Sequence, residues 1–308
     1  MTRYDREFRR IARSLSHATL MQSDESAAID ERTVLDKDAG RRFLDFYGSE
    51  GLRHALERYG LLAAIARRGY PDVAIETRAE GERHTMLLEG RAAPGEPYVR
   101  LLELTVRRDT LVPVAPSGLP PLHARYDVLT IDWLLLQSPN GRFEPGRPPV
   151  PGQRYPGLGV GWRVLALLYR VVDRLGLDAL VTVADHLHNA EHYARELPFL
   201  DPAYAGRLRA LLALLHSRHG LSTAQASWAM EWGLVRDPSG EVVRWRGELQ
   251  LASEEPSLLA YLQSPGYASL AAVAEEACAR FELDREAFDA RWQALLGEHF
   301  GPAGGTVR

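Results

Sequence analysis

The residues with the clearest chemical meaning are three glycines at alternate positions, Gly157, Gly159 and Gly161, directly before an apolar helical pattern. Backbone N–H groups at the start of a helix lack a partner within the helix and carry a partial positive charge. Glycine allows that backbone to approach a ligand closely. The spacing therefore predicts an anion site, and phosphate is the anion that such turns most often bind.

Two other phosphate-binding patterns fit this turn less well. A nucleoside triphosphatase loop ends in Gly-Lys-Ser/Thr, whereas Trp162 and Arg163 follow the last glycine here. A dinucleotide fingerprint spaces its glycines as G-x-G-x-x-G directly after a strand, whereas this turn reads G-x-G-x-G after a proline-rich loop. A purely structural turn, which lets a helix pack closely on a sheet, stays open as an alternative.

A second group of reactive side chains is the H-x-x-E-H pattern from His188 through Glu191 to His192. Histidines four residues apart lie on one face of a helix, where they can hold zinc with the glutamate as a base. His186 and Asp185 add potential ligands, and the third ligand would come from elsewhere, with Glu275 and Glu276 as candidates. A zinc peptidase is therefore one hypothesis. Use of His186 or His188 as a base in another reaction is a second.

The elements that must position these groups follow from hydrophobic periodicity. Residues 1–70 are predicted to be a helical extension, with helices at 4–15, 39–47 and 51–68. Four strands at 73–78, 85–91, 98–107 and 127–137 follow with short turns, which favours an antiparallel meander. The last of these strands is nearly all apolar, so we expect it to be central and covered on both faces.

A loop at 138–156, rich in Pro, Gly and Arg, leads to the glycine turn. The pattern then predicts a mostly buried helix at 162–175, a strand at 179–184 and a short helix at 188–197. Strand, helix and strand in this order form a parallel βαβ unit. Residues 203–308 are predicted to be helical, with helices at 202–216, 257–262, 268–281 and 284–296 and a β-hairpin near 232–250.

Composition limits the classes of partner and compartment. The chain has 308 residues, a formal net charge of −4, 45% hydrophobic and 25% charged residues, and one cysteine. Nothing in that charge points to nucleic acid. No apolar run approaches the length of a membrane span, so no membrane partner is expected. A single cysteine, Cys278, permits no internal disulfide, and together with a leucine-, alanine- and arginine-rich composition it suggests a bacterial protein of the cytoplasm.

The order of elements from 73 to 199 resembles the GNAT superfamily of acyl-CoA-dependent N-acyltransferases. That family has a Q/R-x-x-G-x-G/A loop before its central helix, and Arg154-Tyr-Pro-Gly157-Leu-Gly159 satisfies it. The register two residues later, ending in Gly159-Val-Gly161, better matches the usual helix length, and both registers stay open. Asn189, Ala190 and Tyr193, followed by Pro198-Phe199, resemble the family's ending.

The resemblance implies an α/β fold: a GNAT-like mixed, mostly antiparallel sheet with a central βαβ unit, in an acyl-CoA-binding core at 71–202. It implies acetyl-CoA or another acyl-CoA as co-substrate. The residues that would bind it come from the glycine turn, from the end of the fourth strand and from Asn189. The backbone of the glycine turn would hold the pyrophosphate, and the end of the fourth strand would pair with the pantetheine arm. These binding residues are Arg154, Gly157, Leu158, Gly159, Val160, Gly161, Leu135, Leu136, Gln137 and Asn189.

The same resemblance implies Tyr193 as general acid near the thioester sulfur. A base must also take a proton from the attacking amine. Glu103 and Asp132 are the candidates, because both are carboxylates within apolar strands, and burial raises the affinity of a carboxylate for protons. The long loop at 138–156 and the displaced hairpin depart from the family. The main alternative is therefore a non-catalytic GNAT-like binding or structural protein. The resemblance does not specify the amine acceptor or the oligomeric state, and a homodimer is one possible state.

Overall fold

The computed structural model describes residues 5–22 and 42–301, and these form two compact units. Unit 1 contains residues up to Val112 together with Arg125–Asn140 and Gly157–Leu180. Unit 2 contains Pro113–Ala124, Gly141–Pro156 and the chain from Val181 onward. The predicted boundaries at 70/71 and 202/203 do not coincide with these units, because the N-terminal helices belong to the same unit as the meander.

The N-terminal part of unit 1 is helical, with α1 at Asp5–Ser14, α2 at His17–Leu20, α3 at Ser49–Arg58 and α4 at Leu61–Ala66. The helix expected at 51–68 is broken because Gly60 has a left-handed φ of 69°. The helix expected at 39–47 is wrong within the described residues. Residues 43–47 instead form a turn closed by a bridge between Phe43 and Tyr47, and 39–41 lie outside the described residues.

The sheet confirms the expected mixed, mostly antiparallel architecture. Strands β1 (Asp72–Glu80), β2 (Arg83–Arg91), β3 (Val99–Leu111) and β4 (Tyr126–Leu136) form an antiparallel meander in unit 1. Strand β5 (Ala179–Val183) runs parallel to β4, and helix α5 (Gly161–Leu175) connects them. This is the predicted βαβ unit. In unit 2, β7 (Leu249–Ser253) lies next to β5.

The two faces of the meander differ in burial. Met86, Leu104 and Val106 are almost completely buried on one face, whereas the other face carries charged residues and Trp133, which is 50% exposed. The expectation that β4 is covered on both faces is therefore wrong. Strand β4 also contains a bulge that its apolar composition does not indicate. Thr105 pairs with Trp133, and the next residue, Val106, pairs with Ile131. Asp132 is the extra residue of that bulge.

Unit 2 is mainly helical. It contains α6 (Leu187–Tyr193), α7 (Pro202–Leu212) with a π-helical turn at Ala213–Arg218, α8 (Thr223–Glu231), α9 (Pro256–Leu262), α10 (Pro265–Cys278) and α11 (Arg285–Phe300). Strands β6 (Val235–Arg236) and β8 (Glu282–Leu283) pair with each other. The hairpin near 232–250 is reduced to a turn, with a single bridge between Arg236 and Val242. None of the described helices is long and apolar enough to cross a membrane.

Helices α7 and α10 approach each other closely at Gly206. A Cβ atom on this glycine would lie 2.1 Å from the carbonyl oxygen of Ala271 and 2.8 Å from the Cβ of Ala274. Since a backbone carbonyl has little room to move, only glycine fits here. Gly297 in α11 offers a contrast, because nothing lies within 4 Å of its Cβ position.

We predict that Gly206→Ala lowers the free energy of unfolding by about 3 kcal/mol, because the added methyl forces the two helices apart. The matched control, Gly297→Ala, should raise it by about 0.5–1 kcal/mol, since alanine favours the helix. Urea unfolding followed by tryptophan fluorescence measures both, because Trp228, Trp232, Trp245 and Trp292 belong to or pack against the core cluster of unit 2. Equal stability of the two variants would contradict the close approach.

Candidate functional site

The glycine turn in unit 1 is held by its two intervening side chains. Leu158 and Val160 are 0% and 5% exposed, so both are anchored in the core. Between them Gly159 adopts a left-handed φ of 74°, which disfavours any residue with a side chain. Helix α5 begins at Gly161, and Val160 at its N-cap supplies no side-chain hydrogen bond. The start of α5 therefore presents backbone rather than a capping side chain.

A cation that the sequence did not point to lies against this turn. A Cβ atom on Gly159 would be 2.5 Å from Nη2 and 2.9 Å from Cζ of Arg68. The Arg68 guanidinium therefore lies directly beside the α-carbon of Gly159, and its charge adds to that of the helix N-terminus. Arg163, in the first turn of α5, points elsewhere and donates from Nη1 to the carbonyl oxygen of Tyr59 at 2.6 Å.

The end of β4 meets the same turn. A Cβ on Gly161 would lie 3.5 Å from Cδ1 of Leu136. Leu135 and Leu136 pair with Glu103 and Leu102 of β3. Gln137 donates from its backbone to Leu101 and from its side chain to the carbonyl oxygen of Arg100, each at 2.9 Å. Three of the predicted binding residues, Leu135, Leu136 and Gln137, thus lie beside the predicted phosphate cradle.

The two candidate bases are engaged in ion pairs and are only partly buried. Asp132 accepts hydrogen bonds from Nε of Arg83 and Nε of Arg107, each at 3.1 Å. Glu103 accepts one from Nη1 of Arg100 at 2.9 Å. Their side chains are 21% and 27% exposed, so the burial on which their predicted role rests is incomplete. Both assignments stay predictions.

The remaining predicted site residues belong to unit 2. Burial, followed by the charge of Asp185, raises the pKa of Tyr193, which lies at the end of α6. Its hydroxyl therefore stays protonated at neutral pH. Asn189, one turn earlier, lines a cavity. The guanidinium of Arg154 lies 5.4 Å from the ring centroid of Tyr155, a cation–π distance.

The side chains of the H-x-x-E-H pattern bond to neighbours from other elements. Glu191 contacts Nε2 of His216 through Oε2 and accepts from the Thr223 hydroxyl through Oε1, each at 3.3 Å. His188 places Nδ1 2.8 Å from Oγ of Ser227. In the described part of the chain, no three His, Cys, Asp or Glu side chains are grouped to hold a metal ion. The geometry therefore gives the zinc hypothesis no ligand set.

His188 has an unusual environment. Its ring stacks on that of His186 at 5.4 Å. Burial, and next the proximity of His186 and His192, lowers its pKa from 6.5 to about 4. His186 in turn places Nδ1 3.5 Å from a carboxylate oxygen of Glu231. The neutral form of His188 is therefore the one that the folded protein contains at neutral pH.

No protein-family model matches this chain, and no curated protein matches it significantly.

Acidification should destabilise unit 2 through His188. The unfolded chain binds a proton near pH 6.5 and the folded one only near 4, so stability is complete above pH 6.5 and falls as the pH drops toward 4. The loss is at most about 3 kcal/mol. Urea unfolding at several pH values, compared between wild type and His188→Asn, isolates this contribution from that of His192. Identical pH dependence in the two proteins would contradict the assignment.

Proposed function

We propose that this chain binds an acyl-CoA through the glycine turn and acts as an N-acyltransferase, most simply an acetyltransferase, on an amine acceptor. The observation that carries the proposal is the Arg68 guanidinium beside Gly159 at the uncapped start of α5. A guanidinium beside the backbone at a helix N-terminus favours an anion with several oxygens. A pyrophosphate is such an anion.

The architecture around the turn supports acyl-CoA over other phosphate ligands. An antiparallel meander leads into a parallel β4-α5-β5 unit, and the turn lies between β4 and α5. This is the order on which the resemblance to acyl-CoA-dependent N-acyltransferases rests. The end of β4 adjoins the turn at Leu136 and Gly161. A ligand held by its pyrophosphate at the turn therefore has a strand end beside it for an extended amide-containing arm.

The chemistry proposed is attack of a neutral amine on the thioester carbonyl, with loss of the CoA thiolate. The thiolate needs a proton, and Tyr193 is the proposed donor because its raised pKa keeps the hydroxyl protonated. The proton of the attacking amine passes to a base, for which Glu103 and Asp132 remain the candidates. A chain that binds acyl-CoA without transfer is the alternative.

Arg68→Ala should weaken CoA binding about ten- to a hundredfold, because a hydrogen bond to a charged group contributes about 1.5–3 kcal/mol. Arg68→Glu should weaken it further. Isothermal titration with CoA and with pantetheine, which lacks the pyrophosphate, provides the measurement. Only CoA affinity should depend on Arg68.

The matched control is Arg67→Ala, since Arg67 is the neighbouring exposed arginine at the C-cap of α4. The Arg67→Ala variant should bind CoA with the affinity of the wild type. Absence of saturable CoA binding at millimolar concentration, or equal weakening by both substitutions, would overturn the proposal.

Tyr193→Phe tests catalysis separately from binding. If Tyr193 protonates the leaving thiolate, the variant keeps the wild-type affinity for acetyl-CoA and loses about 10²–10⁴-fold in kcat. Release of free CoA thiol in the presence of a broad panel of amines measures the rate. Unchanged turnover removes Tyr193 from the mechanism. CoA binding with no turnover on any amine supports the non-catalytic alternative.

A further inference from the structure

Unit 2 contains a cavity of about 290 Å³ that is lined mostly by residues of polar type. Helix α6 and Arg195, two residues after it, supply most of the wall. The loop before the glycine turn supplies a second side, and Thr223 at the start of α8 supplies the third. Val150 is its one apolar lining residue; the others are Gln153, His188, Asn189, Glu191, His192, Arg195 and Thr223. The volume is close to the lower end of the range of small-molecule sites, about 300 Å³.

The loop that contains Val150 and Gln153 forms one wall of this cavity, and contacts with Trp228 and His186 hold it in place. Trp228 donates from its indole nitrogen to the carbonyl oxygen of Pro149 at 2.8 Å, next to Val150. A Cβ on Gly152 would lie 3.1 Å from Nε2 of His186, so this loop packs directly on the histidine. The backbone N–H of Val150 donates to Oε1 of Gln153 at 3.3 Å, which leaves the amide nitrogen of Gln153 as a donor. The cavity is therefore preformed.

The one carboxylate of the cavity wall is engaged by neighbouring side chains. Glu191, its only acidic lining residue, pairs with His216. Nδ1 of His216 lies 2.7 Å from the carbonyl oxygen of Leu221, which can only accept, so Nδ1 must carry a proton. Nε2 lies 3.3 Å from Oε2 of Glu191, so His216 already engages one oxygen of this carboxylate.

Arg195 is the arginine of the cavity wall. No carboxylate of the described residues forms an ion pair with Arg195, which lines the cavity. Within the same described residues, the side-chain amide of Asn189 has no hydrogen-bond partner, and it lines the same space. His188 is neutral, as described above. The cavity wall thus combines an arginine that has no carboxylate partner among the described residues with amide donors from Asn189 and Gln153.

We propose that this cavity of unit 2 binds a small oxyanion-bearing molecule, a carboxylate or a phosphate ester, whose oxygens accept from Arg195, Asn189 and Gln153. A guanidinium and two amides match the several acceptor positions of such a group. None of its lining residues belongs to the glycine turn or to unit 1, and Asn189 is the one lining residue that the resemblance also implied for acyl-CoA.

Titration of the full chain with succinate, with glycerol 3-phosphate and with inorganic phosphate tests this site, followed by calorimetry and by the imidazole ¹⁵N resonances of His188 and His192. We expect saturable binding of at least one probe with a shift of the His192 resonances. Preference among the three identifies the oxyanion. Arg195→Gln should lower affinity at least about tenfold, the effect of losing one charge-assisted hydrogen bond.

The matched control is Arg218→Gln, which removes the same charge from an exposed arginine of unit 2 outside the cavity. It should bind each probe like the wild type. In the Arg68→Glu background, binding that survives Arg195→Gln, or no saturable binding of any probe at about 10 mM, overturns the proposal. Repeating the titration with Arg68→Glu separates the two sites: probe binding should persist in that variant even where CoA binding is lost.

Discussion

Unit 1 depends on hydrogen bonds from arginines of α5 to the carbonyl groups that end two earlier helices. Arg174 donates to Leu15 at 3.0 Å and to Ala12 at 2.7 Å, at the end of α1. Arg163 donates to Tyr59, the C-cap of α3. The last carbonyls of a helix have no partner within it and carry partial negative charge, so a guanidinium both satisfies and stabilises them. Helix α5 is thereby bound to the N-terminal helices as well as to the sheet.

This constraint also accounts for the composition of the predicted phosphate cradle. Arg163 fixes the end of α3 against the first turn of α5, and a left-handed Gly60 then redirects the chain into α4. Arg68 follows α4 and lies two residues before Tyr70, which is 1% exposed. The segment that carries Arg68 is therefore anchored at both ends, and the Arg68 guanidinium lies beside Gly159. One helix, α5, provides the turn and organises the chain that brings the cation to it.

Much of this fold was predictable because its signals are local. Alternation in β1–β3 and the apolar stripe of α5 follow directly from residue order, and so does the βαβ connection. Arg68 was not predictable, since its partner Gly159 is distant in sequence and no local pattern marks it. The bulge at Asp132 was equally hidden, because a nearly continuous apolar strand has no alternation whose phase a bulge could shift. The arginines of α5 were visible only as a narrow polar stripe, and what they bind lies in other helices.

The histidines of α6 show the same division between spacing and partners. A separation of four residues correctly places His188 and His192 on the wall of one cavity. What those side chains do is decided by Ser227, by His216 and by the loop held at Pro149, none of which adjoins α6 in sequence. Because His216 and Thr223 both contact Glu191, the carboxylate that the motif would offer to chemistry is already engaged within the fold. The charge left for a ligand belongs instead to Arg195, one turn beyond Glu191 on the same chain segment. A short motif therefore indicates which side chains share a surface, and the rest of the fold determines the sign of the charge that they present.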